Sequence, residues 1–170
     1  MIHELKGKIR EKCPFCRSPA PDTHEEAMKN LIKRVEANDS VAFYQMGWGF
    51  NRDENYKSSF EYFSKGAELG DIESHYELSL LYRDGEGVEK DEKKRVYHLE
   101  VAAIGGHPTA RYYLGCVEEE NGRMDRSVKH WIIAAKLGHE PSMDLLKLCY
   151  RDGLIGKDDF AAALRAHQTA

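Results

Sequence analysis

Apolar residues recur every three or four positions through most of the chain, in segments of about a dozen residues. This spacing places them on one side of an α-helix and predicts an all-α protein. Glycine- or aspartate-rich turns divide the segments into pairs, at 51–55, 84–91, 121–122 and 152–156. Each pair therefore predicts a hairpin of two antiparallel helices.

The hairpins are copies of one another. Four segments align at offsets of 32, 36 and 32 residues: 42–47, 74–79, 110–115 and, more loosely, 142–147. The first three copies end in a glycine where a helix needs a left-handed terminating residue, at Gly70, Gly106 and Gly138. Because a two-helix unit cannot bury its own apolar face, neighbouring copies must stack, which predicts a curved solenoid with an extended inner surface.

Three of the predicted helices contain a small residue in their interior. This requires an explanation, because glycine within a helix lowers helix stability by about 1 kcal/mol relative to alanine. The three residues are Gly47, Ser79 and Gly115. We expect the paired helix to approach closely at these points through its own small residues, which are Gly66, Ala102 and Ala134.

The copy at 74–106 carries a recognisable pattern. It reads Ala-x-x-x-Leu-Gly-x-x-Tyr-x-x-Gly-x-Gly-Val-x-x-Asp, followed by a helix ending Ala-Ala-x-x-Gly, with Ser74 and Ser79 replacing the alanine and the first glycine. This pattern resembles the Sel-one-like repeat (SLR), a relative of the tetratricopeptide repeat. The resemblance covers roughly residues 38–168, although the first and third copies lack the Gly-x-Gly-Val loop and are four residues shorter. It implies an α-solenoid scaffold that binds other proteins and is not an enzyme.

The domain organisation follows from the repeats and from proline content. Residues 1–21 contain three prolines between Pro14 and Pro21, which predicts a mostly irregular tail. A leading helix is predicted at 22–37. The solenoid then occupies 38–170, divided into copies at 38–70, 71–106, 107–138 and 139–170.

The resemblance also implies where a partner binds. In tetratricopeptide relatives the first helix of each hairpin lines the concave face, which is expected to bind a protein or peptide. The candidate residues are Tyr44, Trp48, Tyr76, Leu80, Arg83, Tyr112, Cys116 and Glu119. The three tyrosines occupy equivalent positions in three copies. A second interpretation stays open for them, namely core packing between repeats, because aromatic rows at helical spacing often serve that purpose.

The segment Cys13-Pro-Phe-Cys16 is the other concentrated signal in the sequence. Two thiolates at this spacing can reach one tetrahedral zinc ion, but a structural zinc site needs four ligands. The segment resembles the closing ligand pair of a RING finger, which implies Cys13 and Cys16 as zinc ligands and Arg17 as a contact to a ubiquitin-conjugating enzyme. The remaining ligands would lie upstream, where only His3 is available.

Three interpretations of this cysteine pair stay open. In the first, the chain derives from a longer RING-type ubiquitin ligase and the solenoid recruits its substrate. In the second, the two thiols are free in a tail. In the third, an incomplete zinc site is completed by His3, His24 or a second chain. No other cofactor is expected.

Composition excludes several further classes of protein. A formal net charge of −4 argues against a nucleic-acid binder that uses a basic surface. No apolar run approaches the roughly 18 residues that a membrane span requires. Isolated Cys116 and Cys149 do not form a disulfide framework, which favours an intracellular, cytoplasmic location. No catalytic constellation is recognisable, so we expect a non-enzyme of undetermined oligomeric state.

Overall fold

The computed structural model describes residues 24–169. Within that range the chain forms nine α-helices and no strand, which confirms the predicted all-α fold. The helices are α1 His24–Glu36, α2 Ser40–Arg52, α3 Tyr56–Glu68, α4 Ile72–Asp84, α5 Glu92–Ile104, α6 Pro108–Glu120, α7 Met124–Lys136, α8 Glu140–Arg151 and α9 Lys157–His167.

The helices stack in the order of the sequence. Helices α2 and α3, α4 and α5, α6 and α7, and α8 and α9 pack as hairpins, and each of α3, α5 and α7 also packs against the first helix of the next hairpin. Helix α1 packs on α2 at one end, while α9 packs on both α7 and α8 at the other. None of these described helices is long and apolar enough to cross a bilayer.

Local sequence explains where the helices begin and end. The Asp39 carboxylate accepts hydrogen bonds from the backbone N–H groups of Val41 and Ala42, and Asp71 accepts one from that of Ser74. Such side-chain caps satisfy donors that the first helical turn leaves free. At the other end, Gly70, Gly106 and Gly138 have φ angles of 85°, 94° and 86°. Their predicted left-handed conformation is confirmed.

Gly47 and Gly115 accommodate large rings of the paired helix, so the expected contact of these two glycines with small residues there is wrong. A Cβ atom at Gly47 would lie 2.6 Å from Cδ1 of Phe63, and one at Gly115 would lie 2.3 Å from Nε1 of Trp131. Phe63 and Trp131 are 0% and 1% exposed. The glycines therefore admit the main core side chain of the second helix.

Gly66, a small residue of the second helix α3, lies at the junction with the following hairpin. A Cβ atom at Gly66 would lie 2.3 Å from Oγ of Ser74, which belongs to the first helix of the following hairpin. Ala102 and Ala134, the equivalents of Gly66, are both fully buried. Gly66 is therefore a point of close approach between α3 and α4, and a Cβ atom there would also lie 3.4 Å from the carbonyl oxygen of Ser40 in α2.

Candidate protein-binding face

The eight predicted binding residues lie on the first helices of three hairpins. We call the solvent-accessible surface of α2, α4, α6 and α8 the first-helix face. None of the eight is buried, and Trp48 is 47% exposed. Tyr44, Tyr76 and Tyr112 are half-buried, so each both packs against a neighbour and reaches the surface.

Tyr76 anchors the centre of the first-helix face. Its ring stacks on the imidazole of His107 with centroids 4.3 Å apart and lies 6.4 Å from the ring of Tyr113. Burial raises the pKa of Tyr76 to about 12, so its hydroxyl stays protonated. The guanidinium carbon of Arg83 lies 6.0 Å from the Tyr113 ring, and its nitrogens donate to both carboxylate oxygens of Asp84. The α4–α6 junction therefore consists of mutually supporting rings and one paired cation.

The α6–α8 junction repeats the tyrosine–histidine contact. The centroid of the Tyr112 ring lies 4.9 Å from that of His139. Burial raises the pKa of Tyr112 to about 12, and burial also raises the pKa of the Cys116 thiol on the next turn. Glu119, a further turn along α6, is exposed. Cys116 and Glu119 thus lie on the same side of α6 as Tyr112, as their spacing predicts.

Sequence reasoning missed the two histidines in these contacts. His107 and His139 are helix N-caps, and their Nδ1 atoms accept hydrogen bonds from the N–H groups of Ala110 and Ser142. The repeat register indicates this role, since both histidines occupy the position of the capping residues Asp39 and Asp71 in the first two copies. Only the stacking of hairpins shows that the same imidazoles contact tyrosines.

The α2–α4 junction differs from the other two. Tyr44 lies beside Phe63, with ring centroids 6.0 Å apart. Its pKa is raised by burial and by the negative charges of Glu77, Glu73 and Asp71. Glu77 is itself half-buried, and burial together with the neighbouring Glu73 raises its pKa to about 7. Sequence reasoning also missed Glu77.

A second cluster lies between α3, α4 and α5. The Nδ1 atoms of His75 and His98 are 2.9 Å apart, and the His98 ring stacks on Tyr82 at 5.6 Å. Both imidazoles line an open pocket of about 440 Å³, whose rim includes the exposed Tyr97. Local spacing does not predict this pair, because 23 residues separate the two histidines and no single-helix spacing connects them.

Acidification is expected to destabilise the chain through this histidine pair. Burial lowers the pKa of His98 to about 4, with a further effect of the positive charges of His75 and Lys94, and burial also lowers the pKa of His75. An unfolded histidine has a pKa of about 6.5, so the unfolded chain binds these protons first as the pH falls. The stability due to neutral imidazoles is present above about pH 6.5 and is lost toward pH 4.

The measurement is urea unfolding at pH 7 and pH 5. Between pH 7 and pH 5 the free energy of unfolding of the parent should fall by about 1–2 kcal/mol more than that of His98→Phe. The phenylalanine ring keeps the stacking on Tyr82. His24→Gln, on the exposed surface of α1, should behave like the parent. Equal acid sensitivity in the parent and in His98→Phe would contradict the assignment.

No group of three or more histidine, cysteine, aspartate or glutamate side chains between residues 24 and 169 is arranged to hold a metal ion. Cys13, Cys16 and the proposed RING resemblance lie outside the described residues. Cys116 and Cys149 are free thiols.

Comparison with known proteins identifies the repeat. A model of the Sel1 repeat matches three consecutive copies, at residues 36–71, 72–107 and 108–139. The chain belongs to the Sel1 repeat family. The resemblance inferred from the sequence is thereby confirmed, and the hairpin of α8 and α9 follows the last matched copy of the Sel1 repeat.

Two curated relatives and one solved structure show the range of similar Sel1 repeat proteins. DAP3-binding cell death enhancer 1 of Mus musculus is 23% identical over 186 residues, which cover 86% of this chain and 36% of the relative. Chitin synthase regulatory factor 4 of Schizosaccharomyces pombe is 28% identical over 155 residues, covering 86% of this chain and 24% of the relative. The crystal structure of a Sel1 repeat protein from Oxalobacter formigenes is 25% identical, with a TM-score of 0.70, and covers 85% of this chain and 62% of that one. The chain therefore spans about a third or less of the length of these two curated relatives.

Proposed function

We propose that this chain is a non-catalytic scaffold that binds a protein or peptide on the concave face of its helical repeats, which we equate with the first-helix face. The observation that carries the proposal is the position of the eight candidate residues. All of them reach the surface on the same row of helices, and they include an exposed tryptophan and three half-buried tyrosines. Tryptophan, tyrosine and arginine are the residues most enriched where binding energy concentrates.

The relatives support the same proposal. One is named for binding another protein, and one is named for regulating an enzyme. An intracellular location agrees with the free thiols of Cys116 and Cys149, because a reducing compartment preserves such thiols.

Site-specific photocrosslinking in the full chain tests which surface meets the partner. A benzoylphenylalanine at Trp48 or at Leu80 reports on the first-helix face. The same group at Tyr97 or Ile104, which are 57% and 81% exposed on α5, reports on the second helices. In a native extract we expect discrete adducts from Trp48 and Leu80 only. Adducts confined to the α5 positions would contradict the proposal.

A combined alanine variant provides the quantitative test. Replacing Trp48, Tyr76 and Arg83 together should weaken retention of the crosslinked partner by more than about tenfold, because each is a residue type with a large truncation cost. Circular dichroism should show unchanged helical content. The control variant replaces Tyr97 and Ile104 with alanine and should retain the partner.

A further inference from the structure

The first-helix face carries an imbalance between paired and unpaired charges. Each of the five basic side chains in α2, α4, α6 and α8 has a partner, a carboxylate for four of them and a backbone carbonyl for the fifth: Arg52, Arg83, Lys147, Arg151 and Arg111. Within the described part of the chain, no hydrogen bond or ion pair engages the carboxylates of Glu77, Glu119 and Glu120. The charges left over on this face are therefore negative.

Glu77 is the most unusual of these carboxylates. In the repeat register it occupies the position of Tyr113 in the third copy and of Leu145 in the fourth. Tyr113 stacks beside Tyr76 at that junction, whereas Glu77 brings a negative charge to the equivalent place beside Tyr44. A carboxylate withdrawn from water without a cation is costly. A cation supplied from outside would remove that cost.

Two aromatic side chains lie on the preceding first helix, α2. Tyr44 and Trp48 are one turn apart on α2 and therefore share a face. Tyr44 packs against the core cluster that contains Leu78 and Leu81 of α4. Glu73, Glu77 and Leu80 lie at helical spacing on the same helix, and the charges of both carboxylates act on the Tyr44 hydroxyl. We give the name acidic–aromatic slot to Tyr44, Trp48, Glu73, Glu77 and Leu80. The guanidinium carbon of Arg52 lies 5.7 Å from the Trp48 ring, so this ring already accommodates a cation beside it.

We propose that the acidic–aromatic slot binds a lysine or arginine side chain of a basic, extended peptide segment of the partner. The proposal rests on the proposed function, since it concerns the same face. Carboxylates at Glu73 and Glu77 pair with the cation, and the rings of Tyr44 and Trp48 lie against its alkyl stem and charge. An acidic segment would meet like charges there, which disfavours it.

The pH dependence of binding follows from the surroundings of Glu77. The charge of Glu77 acts on Tyr44 of α2, and Glu73 and Tyr76 are the charged or titratable groups on α4 that interact electrostatically with it. From α6, the Nε2 atom of His107 lies 3.3 Å from the carboxylate of Glu73. Because burial raises the pKa of Glu77 to about 7, its charge is complete only above that pH. A cationic ligand binds the charged form, so affinity should rise between pH 6 and pH 8.

Fluorescence anisotropy with the full chain tests the proposal. The probes are a labelled peptide of four Lys-Ala-Ser units and its counterpart with glutamate in place of lysine. We expect only the basic probe to bind, with an affinity about five- to tenfold higher at pH 8 than at pH 6. Glu77→Gln should weaken binding by about fivefold and remove the pH dependence, and Glu77→Lys should abolish binding.

Glu61→Lys is the matched control, because it changes the net charge by the same amount at an exposed position of α3. It should change affinity by less than about twofold. The proposal would be overturned if Glu61→Lys and Glu77→Lys lost equal affinity for the basic probe, or if both probes bound equally well. Higher affinity after replacing Lys6, Lys8 and Arg10 with serine would also overturn it, because a segment of this chain would then occupy the slot. If Trp48 crosslinks the partner but the anisotropy shows no dependence on the charge of the probe, this inference fails alone. If Trp48 gives no crosslink, the proposed function fails with it.

Discussion

Gly115→Ser is expected to lower the free energy of unfolding by about 3 kcal/mol. The first atom of the new side chain would lie 2.3 Å from Nε1 of Trp131. Trp131 is 1% exposed and belongs to the core formed with Met143 and Leu146 of α8 and Ala163 of α9, so its rigid ring cannot move aside without disturbing two further helices. Urea unfolding followed by circular dichroism measures the loss.

Gly49→Ser provides the matched control. Gly49 also lies within a first helix, α2, but nothing lies within 4 Å of an added Cβ atom there. Because serine has a higher helix propensity than glycine, stability should stay equal or rise by a few tenths of a kcal/mol. Similar losses in both variants would show that helix propensity, and not the Trp131 contact, governs the effect.

A double variant isolates the Gly115–Trp131 contact. The second copy carries Ser79 and Leu99 at these two positions, and both residues are 1% exposed. Trp131→Leu alone should cost about 2–4 kcal/mol because it leaves a cavity. Combined with Gly115→Ser, it recreates the pair of the second copy, so the double variant should lose at least about 1 kcal/mol less than the sum of the single losses. Additive losses would contradict direct coupling.

Gly87→Ala is expected to lower the free energy of unfolding by about 3 kcal/mol or more. Gly87 lies in the loop between α4 and α5 with a φ of 70°, where side chains are strained. A Cβ atom would also lie 2.2 Å from the carbonyl oxygen of Tyr56, at the start of α3. Backbone at this position cannot yield as a flexible side chain would, so the loop must detach from α3 or α3 must shift.

Gly122→Ala separates the two causes of this loss. Gly122 has a φ of 71°, but nothing lies within 4 Å of an added Cβ atom. This substitution should lower the free energy of unfolding by the backbone strain alone, about 1–2 kcal/mol. Thermal and urea unfolding of the two variants provide the comparison. Equal losses would show that the contact between the loop and Tyr56 contributes nothing.

The position of the Gly-x-Gly-Val loop in the chain was predictable from the sequence, whereas its contact with α3 was not. The pattern at 85–88 predicted a turn between two helices, and the structure places it between α4 and α5. That the loop folds back onto Tyr56, about thirty residues earlier, depends on how the second hairpin stacks on the first. No local pattern records this arrangement.

The candidate binding face was predictable to the same extent. Equivalent positions of Tyr44, Tyr76 and Tyr112 follow from the repeat register, and the structure brings all three to the first-helix face. Their histidine partners and the half-buried Glu77 were not predictable, because each belongs to a different hairpin from the tyrosine that it approaches.

The amino-acid sequence by itself determined the helices, their ends, the repeat and its family, because hydrophobic spacing and turn residues act over a few neighbouring positions. Only the tertiary structure decided that Gly47 and Gly115 admit Phe63 and Trp131, that His75 contacts His98, and that the charge of Glu77 acts on Tyr44. These contacts depend on the rotation and offset of stacked helices. Those two quantities are set when all side chains of the stack pack together, and no segment of the chain specifies them alone.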